Sequence, residues 1–180
     1  DSKTPEQFVA AVEELTQNSG CQRLVIDLRY NPGGELSSIV TVLDYILPEG
    51  PIIRIFDADG NQVDEYDSEP TELNIPMAVL VNGSTASAAE LFTSALRDYD
   101  KAVIVGTTTF GKGCMQTTVP LSDGSAVSVT YRMYSPPYGE NYHGIGITPN
   151  VEVELDESLA GKNIYKITDE EDNQLAAAAE

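Results

Sequence analysis

The stretch that most constrains the fold is residues 76–116, in which two short apolar runs flank a turn and a helix. Met77–Val81 and Ala102–Val105 are almost entirely apolar, as strands buried on both faces of a parallel sheet are. From Ala88 onward apolar residues recur at helical spacing, and Asn82–Thr85 supplies turn and helix-cap chemistry before them. The stretch therefore predicts a strand–turn–helix–strand unit of an α/β fold.

The rest of the chain continues the same α/β pattern. A helix is predicted to begin at Thr4-Pro5, and Leu36–Leu47 has helical spacing for a second one. Arg23–Leu28 is a dense apolar run that predicts a central parallel strand. The remaining predicted segments are a hairpin of Ile52–Phe56 with Gln62–Tyr66, a hairpin of Thr117–Leu121 with Ala126–Met133, a loop over Tyr134–Ile147, an edge strand at Val151–Leu155 and a short Ala-rich helix near the end.

Length and charge limit the classes of function. The 180 residues suit one domain, residues 1–180, with a core of its own. The net charge of −19 argues against a surface for nucleic acid or anionic membranes, because both attract basic faces. No apolar run reaches the length of a membrane span, and no segment resembles a targeting signal. Two cysteines are too few for a disulfide framework, so both are expected to be free thiols.

Small hydroxyl residues at the helix entrance, followed by a lysine after the next strand, suggest an activated serine. A serine attacks a carbonyl only if its proton has an acceptor, and the sole histidine, His143, lies far along the chain. Lys112 is the substitute, provided that burial away from carboxylates favours its free amine. The residues alone leave the nucleophile open, since Ser84, Thr85 and Ser87 could each be the helix cap.

Three segments in register carry a family resemblance. They are LRYNPGG at 28–34, VNGSTASAAE at 81–90, and FGKG at 110–113 with Gln116 beyond it. In order and spacing these segments resemble the active-site core of the carboxyl-terminal processing peptidases, or tail-specific proteases, which are serine peptidases with a Ser–Lys pair. The similarity runs from about Thr4 to Asn150, with a looser match at DNQL, residues 172–175.

The resemblance implies a role for each of five residues. Ser87 would be the nucleophile and Lys112, 25 positions later, the general base. Gln116 would orient the lysine amine through a hydrogen bond, as the third member of other triads does. The backbone N–H groups of Gly33 and Ala88 would stabilise the oxyanion.

Three other residues are given ordinary roles. Asp98 is expected to be structural, because a carboxylate near Lys112 would favour the ammonium form. His143 is expected to be a surface residue. A nucleophilic Cys114 would lack a histidine partner, so catalysis by this thiol is not expected.

The resemblance also implies a fold and an activity. The fold would be a ClpP/crotonase-like core of repeated strand–strand–helix units. The activity would be a serine endopeptidase that cleaves proteins with apolar C-termini near those termini, through an acyl-enzyme and without a metal or organic cofactor. Family members act mainly outside the cytoplasm, in the periplasm, cell envelope or chloroplast lumen, and carry a PDZ domain before the core. No PDZ pattern fits this chain, so it is expected to be either an excised catalytic core, with the PDZ domain in the full-length protein, or a member of a shortened branch of the family.

Two rival functions remain open at the level of sequence. One is a non-catalytic module that uses the cleft to bind a peptide or hydrophobic ligand. The other is a crotonase-like acyl-thioester enzyme, which needs backbone oxyanion donors but no Ser–Lys pair. Loss of peptide cleavage in Ser87→Ala and Lys112→Ala would distinguish the peptidase from both rivals. The sequence does not indicate the oligomeric state.

Overall fold

The computed structural model describes all residues from Asp1 to Glu180. The helices are α1 (Thr4–Glu13), α2 (Leu36–Ile46), α3 (Ala88–Asp98) and α4 (Asn173–Ala179). The strands are β1 (Leu24–Asp27), β2 (Gly50–Phe56), β3 (Gln62–Ser68), β4 (Met77–Val81), β5 (Ala102–Gly106), β6 (Cys114–Pro120), β7 (Ala126–Ser135) and β8 (Val151–Glu152). None of the helices combines the length and apolar character that a membrane crossing requires.

The first sheet is parallel and has the order β1-β4-β5-β8. Strand β4 lies inside it, and all five of its residues are buried, which explains its unbroken apolar sequence. A parallel strand near Arg23–Leu28 was predicted, and this is confirmed. The prediction that this strand is central in the sheet is wrong. β1 lies at the sheet edge because only β4 pairs with it, and Val25 remains 37% exposed.

The second sheet is antiparallel and has the order β3-β2-β7-β6. Both predicted hairpins are confirmed, as β2–β3 and β6–β7. The second hairpin begins earlier and ends later than predicted, because β6 starts at Cys114 and β7 runs to Ser135. Gln116 and Tyr134 therefore lie in regular strands close to the candidate site. The result is a mixed α/β fold with one parallel and one antiparallel sheet.

The main core lies where α2 and α3 pack on the parallel sheet. Its fully buried side chains include Leu43 of α2, Leu96 of α3 and Ile104 of β5. Successive strand residues point to opposite faces, so the neighbours of core residues such as Val79 face the other way. On that second face Ala78 lines a groove together with residues of α4. The sheet thus carries helices on both faces and presents the ends of its strands to the loops that form the site.

A buried ion-pair cluster joins the C-terminal segment to the loop after β1. Arg29 is 5% exposed and donates to the carboxylates of Asp27 and Asp172, at 2.7 and 2.6 Å. It also donates to the side-chain oxygen of Gln174 at 2.9 Å. The base of the loop that begins at Tyr30 is therefore fixed by residues far away in the sequence.

Candidate active site

The turn between β4 and α3 places Ser87 in an unusual backbone conformation. Its φ of 57° and ψ of −121° are sparsely populated by residues other than glycine. Thr85 is fully buried, donates from its hydroxyl to the Leu28 carbonyl at 2.8 Å, and accepts the Asn82 N–H at 3.0 Å. Ser84 is exposed on the outside of the turn. Of the three candidate hydroxyls, Ser87 alone has the strained strand-to-helix geometry that presents a nucleophile.

The Asn31–Gly34 loop packs directly against this turn. The Ala86 N–H donates to the Asn31 carbonyl at 2.9 Å. A β-carbon on Gly33, whose φ is +85°, would lie 2.5 Å from the Ala86 oxygen and 2.7 Å from the Ala88 nitrogen. Only glycine permits this approach. The Gly33 N–H, the predicted oxyanion donor, donates to Asn31 Oδ1 at 2.9 Å in this structure.

Four of the five predicted site residues border one cavity of about 220 Å³. The residues that line it are Gly34, Leu36, Ser87, Ala88, Leu91, Lys112, Cys114, Met115, Gln116, Tyr131 and Tyr134. Gly33 borders a neighbouring cavity of about 190 Å³, which shares Gly34 and Ala88 with the first. Ala88 is the first residue of α3, where the amide has no acceptor within the helix and the helix dipole is positive. An anion between the two cavities would meet this end of the helix.

A buried carboxylate, Glu90, connects the serine turn to the lysine loop. Glu90 is fully buried, and its Oε2 accepts the N–H of Ser87 at 2.9 Å and the N–H of Lys112 at 2.7 Å. Its Oε1 accepts the Thr109 hydroxyl at 2.5 Å and the Gly111 N–H at 2.6 Å. Four donors surround one buried charge, so the negative group is solvated by the protein itself. One oxygen atom thereby fixes the backbones of both predicted catalytic residues.

Tyr134 holds the opposite side of Lys112. Its hydroxyl donates to the Lys112 carbonyl at 2.7 Å, and its ring is 5% exposed. Burial raises the pKa of Tyr134 to about 12, and the negative charge of Glu90 acts in the same direction. The phenol is therefore protonated and can donate at any pH near neutrality.

Gln116 lies in β6 and borders the same cavity as Lys112. Its side chain is exposed, and Nε2 donates to the Thr130 hydroxyl at 3.3 Å, across the β6–β7 pair. In this arrangement its amide is bonded to Thr130 and not to the lysine, and its role in orienting Lys112 stays a prediction.

The other polar residues considered from sequence lie in structural positions. Asp98 accepts the N–H groups of Tyr138 and Gly139 at 2.9 and 2.8 Å, so it anchors a loop at the far end of α3. His143 is exposed. Cys114 is a buried free thiol in the cavity wall. No group of three or more His, Cys, Asp or Glu side chains comes together as a metal site.

Sequence reasoning missed two residues that hold the site together. Glu90 had a detectable signal, because Ser87 and Glu90 have the Ser-x-x-Glu spacing of a capping box, and the Glu90 carboxylate does accept the Ser87 N–H. Tyr134 had none, because it opened a segment predicted to be a loop, whereas it lies in β7.

The fold and the site together indicate the protein family to which the chain belongs. A serine on a strained turn, between a parallel strand and a helix, faces the loop that carries a lysine in a mixed α/β fold. The profile of Peptidase family S41 matches residues 1–153, so the chain belongs to this family.

Individual relatives agree with this assignment. The chain is 37% identical over 169 residues to a carboxy-terminal-processing protease of Bartonella bacilliformis, covering 90% of this chain and 39% of that protein. It is 37% identical over 155 residues to a chloroplastic C-terminal processing peptidase of Tetradesmus obliquus, covering 86% and 33%. The solved structure of a photosystem II D1 C-terminal processing protease superposes with a TM-score of 0.77 at 38% identity, covering 86% of this chain and 40% of the other. The chain thus spans between a third and two-fifths of the length of these relatives.

Proposed function

We propose that this chain is the catalytic core of a serine endopeptidase that cleaves protein substrates near their C-termini. The observation that carries the proposal is the joint fixation of Ser87 and Lys112 by one buried oxygen of Glu90, at the border of one cavity. Family membership and the similarity to carboxy-terminal processing proteases support the reaction class.

The mechanism follows from the groups at the cavity. The Ser87 hydroxyl attacks the scissile carbonyl carbon while the Lys112 amine takes its proton. The tetrahedral intermediate then expels the peptide amine, which receives the proton from Lys112, and leaves an ester on Ser87. A water molecule attacks this ester while Lys112 takes one of its protons, and that proton returns to Ser87 as the new carboxylic acid leaves and releases its remaining proton to solvent. No metal or organic cofactor takes part in these steps.

The oxyanion would be stabilised at the start of α3. The Ala88 N–H and the helix dipole provide one donor and a favourable field there. The Gly33 N–H becomes the second donor when it shares or exchanges its bond to Asn31 Oδ1. Gln116, at the same cavity, orients the amine of Lys112 once its amide turns from Thr130.

The substrate class and cellular site are part of the same proposal. Apolar C-termini suit the cavity wall, which contains Leu36, Leu91 and Met115 beside the reacting pair. The relatives include bacterial proteins and a chloroplastic one, which supports action outside the cytoplasm or in an equivalent compartment. A PDZ domain is expected to precede this core in the full-length protein.

Cleavage of an unstructured peptide with an apolar C-terminus tests the proposal. We expect the unaltered protein to release C-terminal fragments detectable by mass spectrometry, and Ser87→Ala and Lys112→Ala to lose the activity by at least about 100-fold. Ser84→Ala is the matched control, since Ser84 lies in the same turn with an exposed side chain, and it should retain full activity. Equal cleavage by all variants would remove the mechanism, and an inactive unaltered protein would favour a binding module.

A further inference from the structure

The loop that carries Lys112 depends on side chains for its position. Lys112 lies between two glycines, and Gly111 has a φ of +88° that fits only a loop. The N–H of Lys112 donates to Glu90, and its carbonyl accepts the Tyr134 hydroxyl at 2.7 Å. Both polar backbone groups of the predicted base are therefore held by buried side chains from other elements.

Tyr134 is well placed to hold this carbonyl rigidly. Its own N–H donates to the Gly113 carbonyl at 3.2 Å, so its backbone is already joined to the lysine loop. Its ring is buried and borders the cavity of Ser87 and Lys112. A phenol has one proton to donate, and here that proton goes to Lys112.

A second tyrosine packs beside Tyr134 but makes no hydrogen bond to the Lys112 loop. The ring of Tyr142 packs edge-on against Tyr134, with the ring centroids 5.9 Å apart and the planes at 83°. Tyr142 is equally buried, at 5% exposure, but its hydroxyl, although close to the side chains of Tyr134 and Ser94, makes no hydrogen bond of normal geometry. The two phenols therefore share packing and differ in whether they hold the lysine loop.

We propose that Tyr134 is a positioning residue of the Ser87–Lys112 reaction, whose hydroxyl fixes the Lys112 carbonyl and with it the backbone that carries the lysine side chain at the cavity of Ser87. This inference rests on the proposed function. Without the hydroxyl, the carbonyl loses its buried donor and the loop shifts, and a displacement of about 1 Å lowers a rate by up to roughly 100-fold.

Tyr134→Phe and Tyr142→Phe, each made in the full chain, test the inference as a matched pair. We expect Tyr134→Phe to lower kcat for peptide cleavage at least about tenfold with KM within about twofold, because substrate contacts are unchanged. Amide hydrogen exchange at residues 112–114 should become faster in the same variant. Tyr142→Phe should keep kcat and the exchange rates, with an equal or higher Tm, because it removes an unpaired buried hydroxyl.

The outcomes separate this inference from the function on which it rests. If the unaltered protein neither cleaves the peptide nor reacts at Ser87 with a fluorophosphonate, both are overturned. If it does react, and Tyr134→Phe keeps the unaltered kcat, the positioning role alone is wrong. Equal losses of kcat in both variants would also overturn it, because they would show that ring packing and not the hydroxyl matters.

Discussion

At the scale of single residues, a hydrogen bond links the strained backbone of Ser87 to the buried charge of Glu90. A residue other than glycine in such a conformation costs about 1–3 kcal/mol. A hydrogen bond to a buried charge contributes about 1.5–3 kcal/mol, and Glu90 accepts one from the Ser87 N–H itself. The carboxylate therefore supplies enough stabilisation to keep the serine turn in its strained form.

The change Glu90→Gln should lower the free energy of unfolding. The amide would place N–H groups against at least one of the donors that now face Oε1 and Oε2, so we expect a loss of roughly 3 kcal/mol in the free energy of unfolding. Urea denaturation measures it, with Glu69→Gln at an exposed position as the control. A loss of less than about 0.5 kcal/mol in Glu90→Gln would show that the carboxylate does not hold the two loops.

Two turns interlock at the scale of elements. The loop after β1 and the turn after β4 are joined by the hydrogen bond from the Ala86 N–H to the Asn31 carbonyl. The Asn82 side chain also accepts the Tyr30 N–H at 3.1 Å. Backbone atoms of the serine turn lie so close to Gly33 that there is no room for a side chain at residue 33. The oxyanion region is thus built from two loops whose separation is set by one glycine.

Gly33→Ala should therefore abolish activity. Its methyl group would collide with backbone oxygen and nitrogen atoms of the serine turn, which cannot rotate away as a side chain can. We expect peptide cleavage to fall at least about 100-fold. Gly60→Ala is the control, since Gly60 also has a positive φ, of +83°, but open space around it. Similar activity losses in both variants would mean that general backbone strain, and not the close approach, is responsible.

The sequence predicted the features that depend on neighbours along the chain. The strand–turn–helix unit around Ser87 and both hairpins could be read from periodicity and turn residues. The position of β1 at the sheet edge and the bond from Tyr134 to Lys112 depend on strand order and tertiary packing, which local patterns do not encode. The Gly33 amide was assigned by resemblance, and its bond to Asn31 emerges only from the loop geometry.

The C-terminal segment and the parallel sheet are tied together at the scale of the whole molecule. Asp172 caps α4 and pairs with Arg29, which lies just before the Asn31–Gly34 loop. Burial raises the pKa of Asp172, but the Arg29 guanidinium and backbone N–H donors outweigh burial and leave its pKa below the ordinary value. The pair thus joins the end of the chain to the base of the oxyanion loop.

Stability should depend on the charge of Asp172. Because its folded pKa is depressed, its contribution is complete above the unfolded pKa of about 3.9 and is lost as the pH falls through the lower folded value. Asp172→Asn should cost roughly 3 kcal/mol at pH 7 and less at pH 3. Urea denaturation at both pH values measures this, with Asp169→Asn at an exposed position as the control. A pH-independent difference would contradict the linkage.

The central claim is that Lys112 activates Ser87, and the rate and position of covalent labelling by a fluorophosphonate test it most directly. We predict one adduct, mapped by peptide mass spectrometry to Ser87, whose formation slows at least about 100-fold in Lys112→Ala. An adduct at Ser84 or elsewhere, or an unchanged labelling rate in Lys112→Ala, would contradict the account.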